Sequence, residues 1–290
     1  MLNPSKLLIE AFAQELEVTY HSVYGRLKPD YPNIIAWAGG MALENIANSD
    51  ALFHNVEHTV LVALVGQQIL RGRHIRYGGV SCEDWLHFML ALVCHDIGYV
   101  KGVCHDDRVA TREYAKGTGG HMVTLPLGAT DAALTPFHVD RGKLFVAERF
   151  GGHQLIDVSV LQGLIELTRF PVPLDGDHRD TTGYPGLVRA ADLIGQLSDP
   201  RYLTKIPALF HEFQETGINS ILGYSSPADL RLNYPKFYWK SVYPFIADAM
   251  AFLRLTLQGK QILANLYANL FEVEHQESLL GVPAFPGTQG

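Results

Sequence analysis

One segment constrains this chain more than any other: WLHFMLALVCHD, residues 85–96. It is apolar on nearly every side, and a helix of that kind has to be enclosed by other elements rather than laid on a surface. Ser81 ahead of it reads as an N-cap, and Glu83 and Asp84 put negative charge in the first turn, where the helix dipole favours it. The segment then ends in His95 and Asp96, followed by Ile97 and Gly98. An ionised carboxylate at the end of a buried helix is expensive unless it is paired or bound to a cation. Imidazole nitrogen beside carboxylate oxygen is a donor mixture that suits Zn, Mn or Fe, and Mg less well. The alternative is a C-terminal histidine followed by a turn-forming aspartate before Gly98.

The rest of the chain supplies the enclosing elements. Helical periodicity dominates and strand-type alternation is scarce. Residues 5–18 place Leu7, Leu8, Phe12, Leu16 and Val18 on one expected face. Residues 54–72 read as a helix closed by Gly72, and further helices are expected over 138–151, 154–169, from about Leu187, and over 203–216, 236–258 and 260–275. Between them, 98–136 is rich in Gly, Thr and Pro; loops of that length in a compact domain are often lids over a site. There is no internal repeat and no clean linker. The expected organisation is one all-α bundle over residues 1–280, followed by a polar tail, GVPAFPGTQG, at 281–290.

Composition excludes several classes. Of the 290 residues 47% are hydrophobic and only 18% charged, below the roughly 25% of an average soluble domain, so a well-buried core is expected, with room for an apolar interface such as that of a homodimer. A net charge of −7 without a basic run argues against a nucleic-acid partner. No apolar run approaches the ~20 residues needed to cross a bilayer, and the N-terminus lacks a signal-peptide core, so no membrane is expected. Cys82, Cys94 and Cys104 show no CxxC spacing and read as buried thiols of a cytoplasmic protein.

Two further places carry chemistry. His54 and His58, four apart, would share one face of a helix. Asp192 interrupts the apolar run Leu187, Val188, Ala190, Ala191, Leu193 and Ile194, with Arg189 as its alternative, purely structural partner. Taken in order, His58, His95-Asp96 and Asp192 resemble the ligand pattern of the HD superfamily. More closely, FHNVEHTVLV (53–62), RAADLIGQLSDP (189–200) and HEFQE (211–215) resemble segments of class I cyclic-nucleotide phosphodiesterases. The likeness covers roughly residues 50–216.

That resemblance implies an all-helical bundle of the HD, phosphodiesterase-like kind. It implies a metal-dependent phosphohydrolase that attacks a small-molecule phosphoester, a cyclic nucleotide or related nucleotide, with a metal-activated hydroxide. Two divalent ions (Zn, Mn, Fe or Mg) would be held, with His58, His95, Asp96 and Asp192 ligating the first and Asp96 bridging to the second. His54 would be the general acid and Asn55 an orienting residue. His121 and His138 are candidates for the second ion or the substrate, and Arg141 with Lys143 for phosphate. The sequence departs from the family where Tyr99 stands in place of a histidine, and PFHVDRGK (136–143) is only an approximate counterpart of the substrate-side histidine segment. Two other readings keep the same ligands: a di-iron oxygenase using His121 and His138, and a non-catalytic ligand-binding module.

Overall fold

Residues 85–94 are enclosed as their composition requires. In the computed structural model, which describes residues 3–275, every side chain from Trp85 to Cys94 except His87 is buried. The chain is 68% helix and 3% strand, an all-α fold. Its first half contributes α1 (Pro4–Tyr24), α2 (Asp30–Ile46), α3 (Val56–Tyr77) and α4 (Cys82–Cys94). After an irregular stretch come α5 (His138–Phe150), α6 (Val158–Glu166), α7 (Tyr184–Leu197) and α8 (Tyr202–Thr216). Three short helices follow, α9 (Ile218–Leu222), α10 (Pro227–Leu232) and α11 (Tyr234–Phe237), and then α12 (Tyr243–Leu253) and α13 (Leu257–Glu274). Helices α2, α3, α6 and α7 surround α4, and a single hydrophobic cluster runs from Ile9 to Val273. Residues 276–280 of the expected domain and the tail at 281–290 lie outside the described residues.

The N-cap expected at Ser81 forms, and as a capping box, with the Ser81 hydroxyl accepting from Asp84 N and the Asp84 carboxylate from Ser81 N. Other local expectations are corrected. On α1 the buried stripe is Ile9, Phe12, Leu16 and Tyr20, spaced three and four apart, whereas Leu7, Leu8 and Val18 are exposed. Helix α2 was not foreseen, because Pro32 and the Gly39-Gly40 pair argue against a helix when read alone. Tertiary packing explains Gly39: a Cβ there would stand 2.8 Å from Leu16 Cδ1, so the glycine lets α1 and α2 close together. Helix α3 continues past Gly72 to Tyr77 and is closed by Gly78 at φ 64°. Gly72 is instead where the carbonyl of Phe252 on α12 reaches the α3 backbone. The expected helix over 236–258 is divided, with a π-turn at Tyr238–Val242 just ahead of Pro244, whose missing N–H prevents an unbroken ladder.

The 98–136 segment is fastened rather than free. It holds an antiparallel hairpin, β1 (Glu113–Ala115) paired with β2 (Met122–Thr124), over a small cluster of Tyr114, Leu125 and Leu134. Arg141, from α5, ties it down. All five of its N–H groups are used, on the carbonyls of Gly98 (2.6 Å), Val100 (2.9 Å) and Ala115 (2.6 Å) and on both oxygens of Asp107 (3.0 and 2.9 Å). Both side chains are fully buried. Arg141 therefore has no donor left for a phosphate, which corrects its expected role. Neighbouring Lys143 is likewise occupied, by Glu166 at 2.6 Å.

Two consequences follow for stability. Arg141→Met would leave Asp107 as an unpaired buried charge, and should lower unfolding free energy by about 3–5 kcal/mol in urea titration. At the crossing of α3 and α7, a Cβ on Gly195 would stand 2.7 Å from Val62 Cα and 2.9 Å from Val62 N. Backbone cannot swing aside as a side chain can, so Gly195→Ala should destabilise by about 1–3 kcal/mol in the same titration.

Candidate metal centre

Three helices bring His58, His95 and Asp192 to one point, and Asp96, just past the end of α4, stands beside the two imidazoles. Asn55 caps α3: its carbonyl accepts from Glu57 N (3.0 Å) and His58 N (3.2 Å), and its amide donates to Leu52 O (3.0 Å). This fixes His58 in the first turn of α3. It also places His54 before the helix, so the two histidines are not a pair along one helix face, although their rings still approach edge-to-face at 5.5 Å. Asn55 thus orients the site through the backbone, as a cap. His95 is the C-cap of α4, and Asp96 follows it at the start of a 3₁₀ turn, Ile97–Tyr99. Asp192 comes from the middle of α7, held against α3 by the Gly195 contact.

The distances are compatible with a shared cation. Asp96 Oδ2 lies 3.2 Å from both His58 Nε2 and His95 Nε2, and Asp192 Oδ1 lies 3.4 and 3.5 Å from them. His58 Nε2, His95 Nε2 and Asp96 Oδ2 are nevertheless buried without a hydrogen bond. Ligands about 2.0–2.2 Å from one ion, at tetrahedral to octahedral angles, stand about 2.9–3.5 Å from each other. Converging ligand atoms at that spacing would suit a shared cation. The His95 Nδ1–H donates to Leu92 O at 2.7 Å, which leaves the Nε2 lone pair for a ligand. Arg189 does not compete for Asp192; its guanidinium donates to the carbonyls of His178 (2.7 Å) and Asp180.

Electrostatics agree. Burial opposes charge on His95, Asp96 and Asp192, yet the attraction between opposite charges outweighs it. His95 is held well above its ordinary value, Asp96 well below, and Asp192 is lowered to about 2. The two carboxylates facing the imidazoles carry a formal charge that one divalent ion would balance.

A second layer of side chains lines the same place. The His54 ring lies flat on Tyr99 (4.5 Å between centroids, 13° between planes), and Tyr99 in turn on His138 (4.5 Å, 24°). The His54 Nδ1–H donates to Glu212 Oε2 at 2.6 Å. Burial alone would lower the pKa of His54, but the charge and hydrogen bond of Glu212, with Asp96 and Asp192 adding, raise it to about 9. Glu212, on α8, is the functional residue the sequence left without a role; it was visible only as a letter of HEFQE. Of the two uncertain histidines, His138 joins the site and donates from Nδ1 to Thr135 O at 2.6 Å. His121 is exposed on the hairpin turn, its ring against Gly119, and is not gathered with the cluster. All three cysteines are buried and unpaired, and no helix among the described residues is long and apolar enough to cross a membrane.

A ligand that binds only the folded chain stabilises it by mass action, by about 2.7 kcal/mol at a hundredfold excess over its Kd. Thermal unfolding should therefore shift upward when a chelator-treated sample receives Zn or Mn. Asp192→Asn should abolish that shift while leaving a folded protein.

No curated protein matches the chain. Residues 2–276 match the model of a family described as Npun_R2479-like, a description that names no activity. With nearly the whole sequence matched, the chain belongs to the Npun_R2479-like family.

Proposed function

We propose that the protein is a metal-dependent phosphohydrolase of the HD type, acting on a small-molecule phosphoester such as a cyclic nucleotide or a related nucleotide, in the cytoplasm. The observation that carries this reading is the convergence of three buried, unpartnered ligand atoms beside a His54–Glu212 pair. A cation held by His58, His95, Asp96 and Asp192 would supply Lewis acidity, activating water and compensating charge on the phosphoryl oxygens.

The chain's own residues supply the rest. His54 is bonded to Glu212 through Nδ1, so its Nε2 carries the other proton of the imidazolium, available to the departing ester oxygen. The charge and hydrogen bond of Glu212 raise the pKa of His54, which favours the protonated ring. Glu212 is itself positioned by the N–H groups of Phe53 (2.7 Å) and His54 (3.3 Å), so the proton donor is aligned before substrate arrives. Asp192 and His54 are the partly exposed members of the group, and substrate would enter from their side.

The experiment is hydrolysis by metal-loaded protein against 3′,5′-cyclic nucleotides, nucleoside monophosphates and a chromogenic diester. Turnover that disappears in Asp96→Ala is expected. Stoichiometric nucleotide binding without turnover would replace the enzyme with a binding module. Within an active enzyme, His54→Ala should lose roughly 10²–10⁴ in rate, less for esters whose leaving group needs no proton. Glu212→Gln removes the group that raises the His54 pKa, so the alkaline limb of the rate profile should move to lower pH. An unmoved limb would remove His54 from the acid role.

A further inference from the structure

We propose that His178 is a proton-dependent fastener. As an imidazolium it ties the connection between α6 and α7 to the end of α6, and losing one proton as pH rises releases that tie and loosens the start of α7. The device is independent of the phosphohydrolase reading.

Hydrogen-bond geometry sets the protonation state. His178 lies in the 3₁₀ turn Asp177–Arg179 and is its buried residue, with Asp177 and Arg179 exposed on either side. Both of its ring nitrogens meet carboxylates: Nδ1 is 2.5 Å from Asp175 Oδ1 and Nε2 is 3.3 Å from Glu166 Oε1. A carboxylate ion can only accept, and a neutral imidazole has a single N–H. Both contacts are therefore hydrogen bonds only while the ring carries two protons.

The charged groups around the ring keep the two carboxylates ionised. Glu166, on α6, is held by Arg169 at 2.8 Å and by Lys143 of α5 at 2.6 Å, and Arg169 is bonded in turn to Asp140 at 2.8 Å. Burial would raise the pKa of Glu166, but the hydrogen bonds from Arg169 and Lys143 lower it to about 2. The bond from His178 holds Asp175 below the ordinary carboxylate value. The group that changes charge is thus the imidazole.

Its two protons are not equivalent. A neutral ring keeps the shorter bond, to Asp175 three residues away in the same connection. The bare Nε2 then presents its lone pair to the anionic Glu166. Deprotonation spares the local contact and removes the one that reaches α6.

The start of α7 hangs on the same turn. The carbonyls of His178 (2.7 Å) and Asp180 accept from the guanidinium of Arg189, which is buried on α7 with its Nε unpartnered and lies over the Phe245 ring. The Asp180 carboxylate accepts from the N–H groups of Thr182, Gly183 and Gly186, the last of these in the first turn of α7. Moving the turn takes acceptors away from a buried cation, which is costly. The connection therefore opens transiently, and the first turn of α7 opens with it.

The test is hydrogen exchange of the full chain from about pH 5 to about pH 8, the range of histidine titration, read as protection after correction for the intrinsic pH dependence. Peptides covering 176–188 should lose about tenfold in protection as pH rises, as expected for a lost bond between charged groups, while α4 keeps its own. His178→Gln, neutral at every pH, should show the low protection throughout. Protection of 176–188 that does not change with pH, or a change that persists in His178→Gln, would overturn the proposal. Glu166→Gln offers an amide that can donate to a bare Nε2, so the pH response should shrink; an undiminished response would take the switch away from this contact. Imidazole nitrogen NMR of the unmutated chain needs no variant to fold. It should show both His178 nitrogens protonated at the acid end of the range, and a bare nitrogen there would also overturn the proposal.

Discussion

Two carboxylates facing two imidazoles at the end of a buried helix are the constraint around which this molecule is arranged. Helix α4 has to be enclosed because it is apolar nearly all round, and enclosing it carries His95 and Asp96 into the core. Buried charge of that kind is tolerated only with compensation supplied from other elements. Helix α3 brings His58 and α7 brings Asp192, and the glycine at position 195 lets those two helices approach closely enough for the four groups to meet. Core packing and site assembly are the same event here.

The surrounding shell follows from the same logic. The turn that leaves α4 at Asp96 cannot wander, because Arg141 binds the carbonyls of Gly98 and Val100 while holding Asp107 and Ala115 from the segment beyond. The guanidinium that seemed suited to a phosphate is thereby a fixed internal clamp. It positions Tyr99, and through Tyr99 the two flanking imidazoles, without touching them. Rigid placement of this kind keeps the site's geometry fixed in advance.

Much of this was legible in the sequence. The all-α class came from periodicity, and the central position of α4 from its unbroken apolar composition. His95-Asp96 and Asp192 stood out as ionisable residues in apolar surroundings, and the resemblance to the HD superfamily joined them with His58 as one ligand set. Local signals also failed in understandable ways. Glycine was read as an end signal at Gly72, because a sequence shows its propensity but not the neighbour that needs the space. Asn55 was read for its place in a motif, when its backbone role as a cap decides where α3 begins and hence that His54 lies outside it.

The sequence by itself therefore determined which residues had to be buried and which of them would be costly there without a partner or a cation. Only the tertiary structure decided the partnerships. His54 and Glu212 are 158 positions apart, and Arg141 and Asp107 are 34 apart. Whether each pair meets depends on helix crossings rather than on local preference. The physical reason is range: propensity, capping and amphipathicity act over a few residues. Hydrogen bonds, ring stacking and charge compensation are decided by distances of a few ångströms, which exist only once the chain has closed on itself.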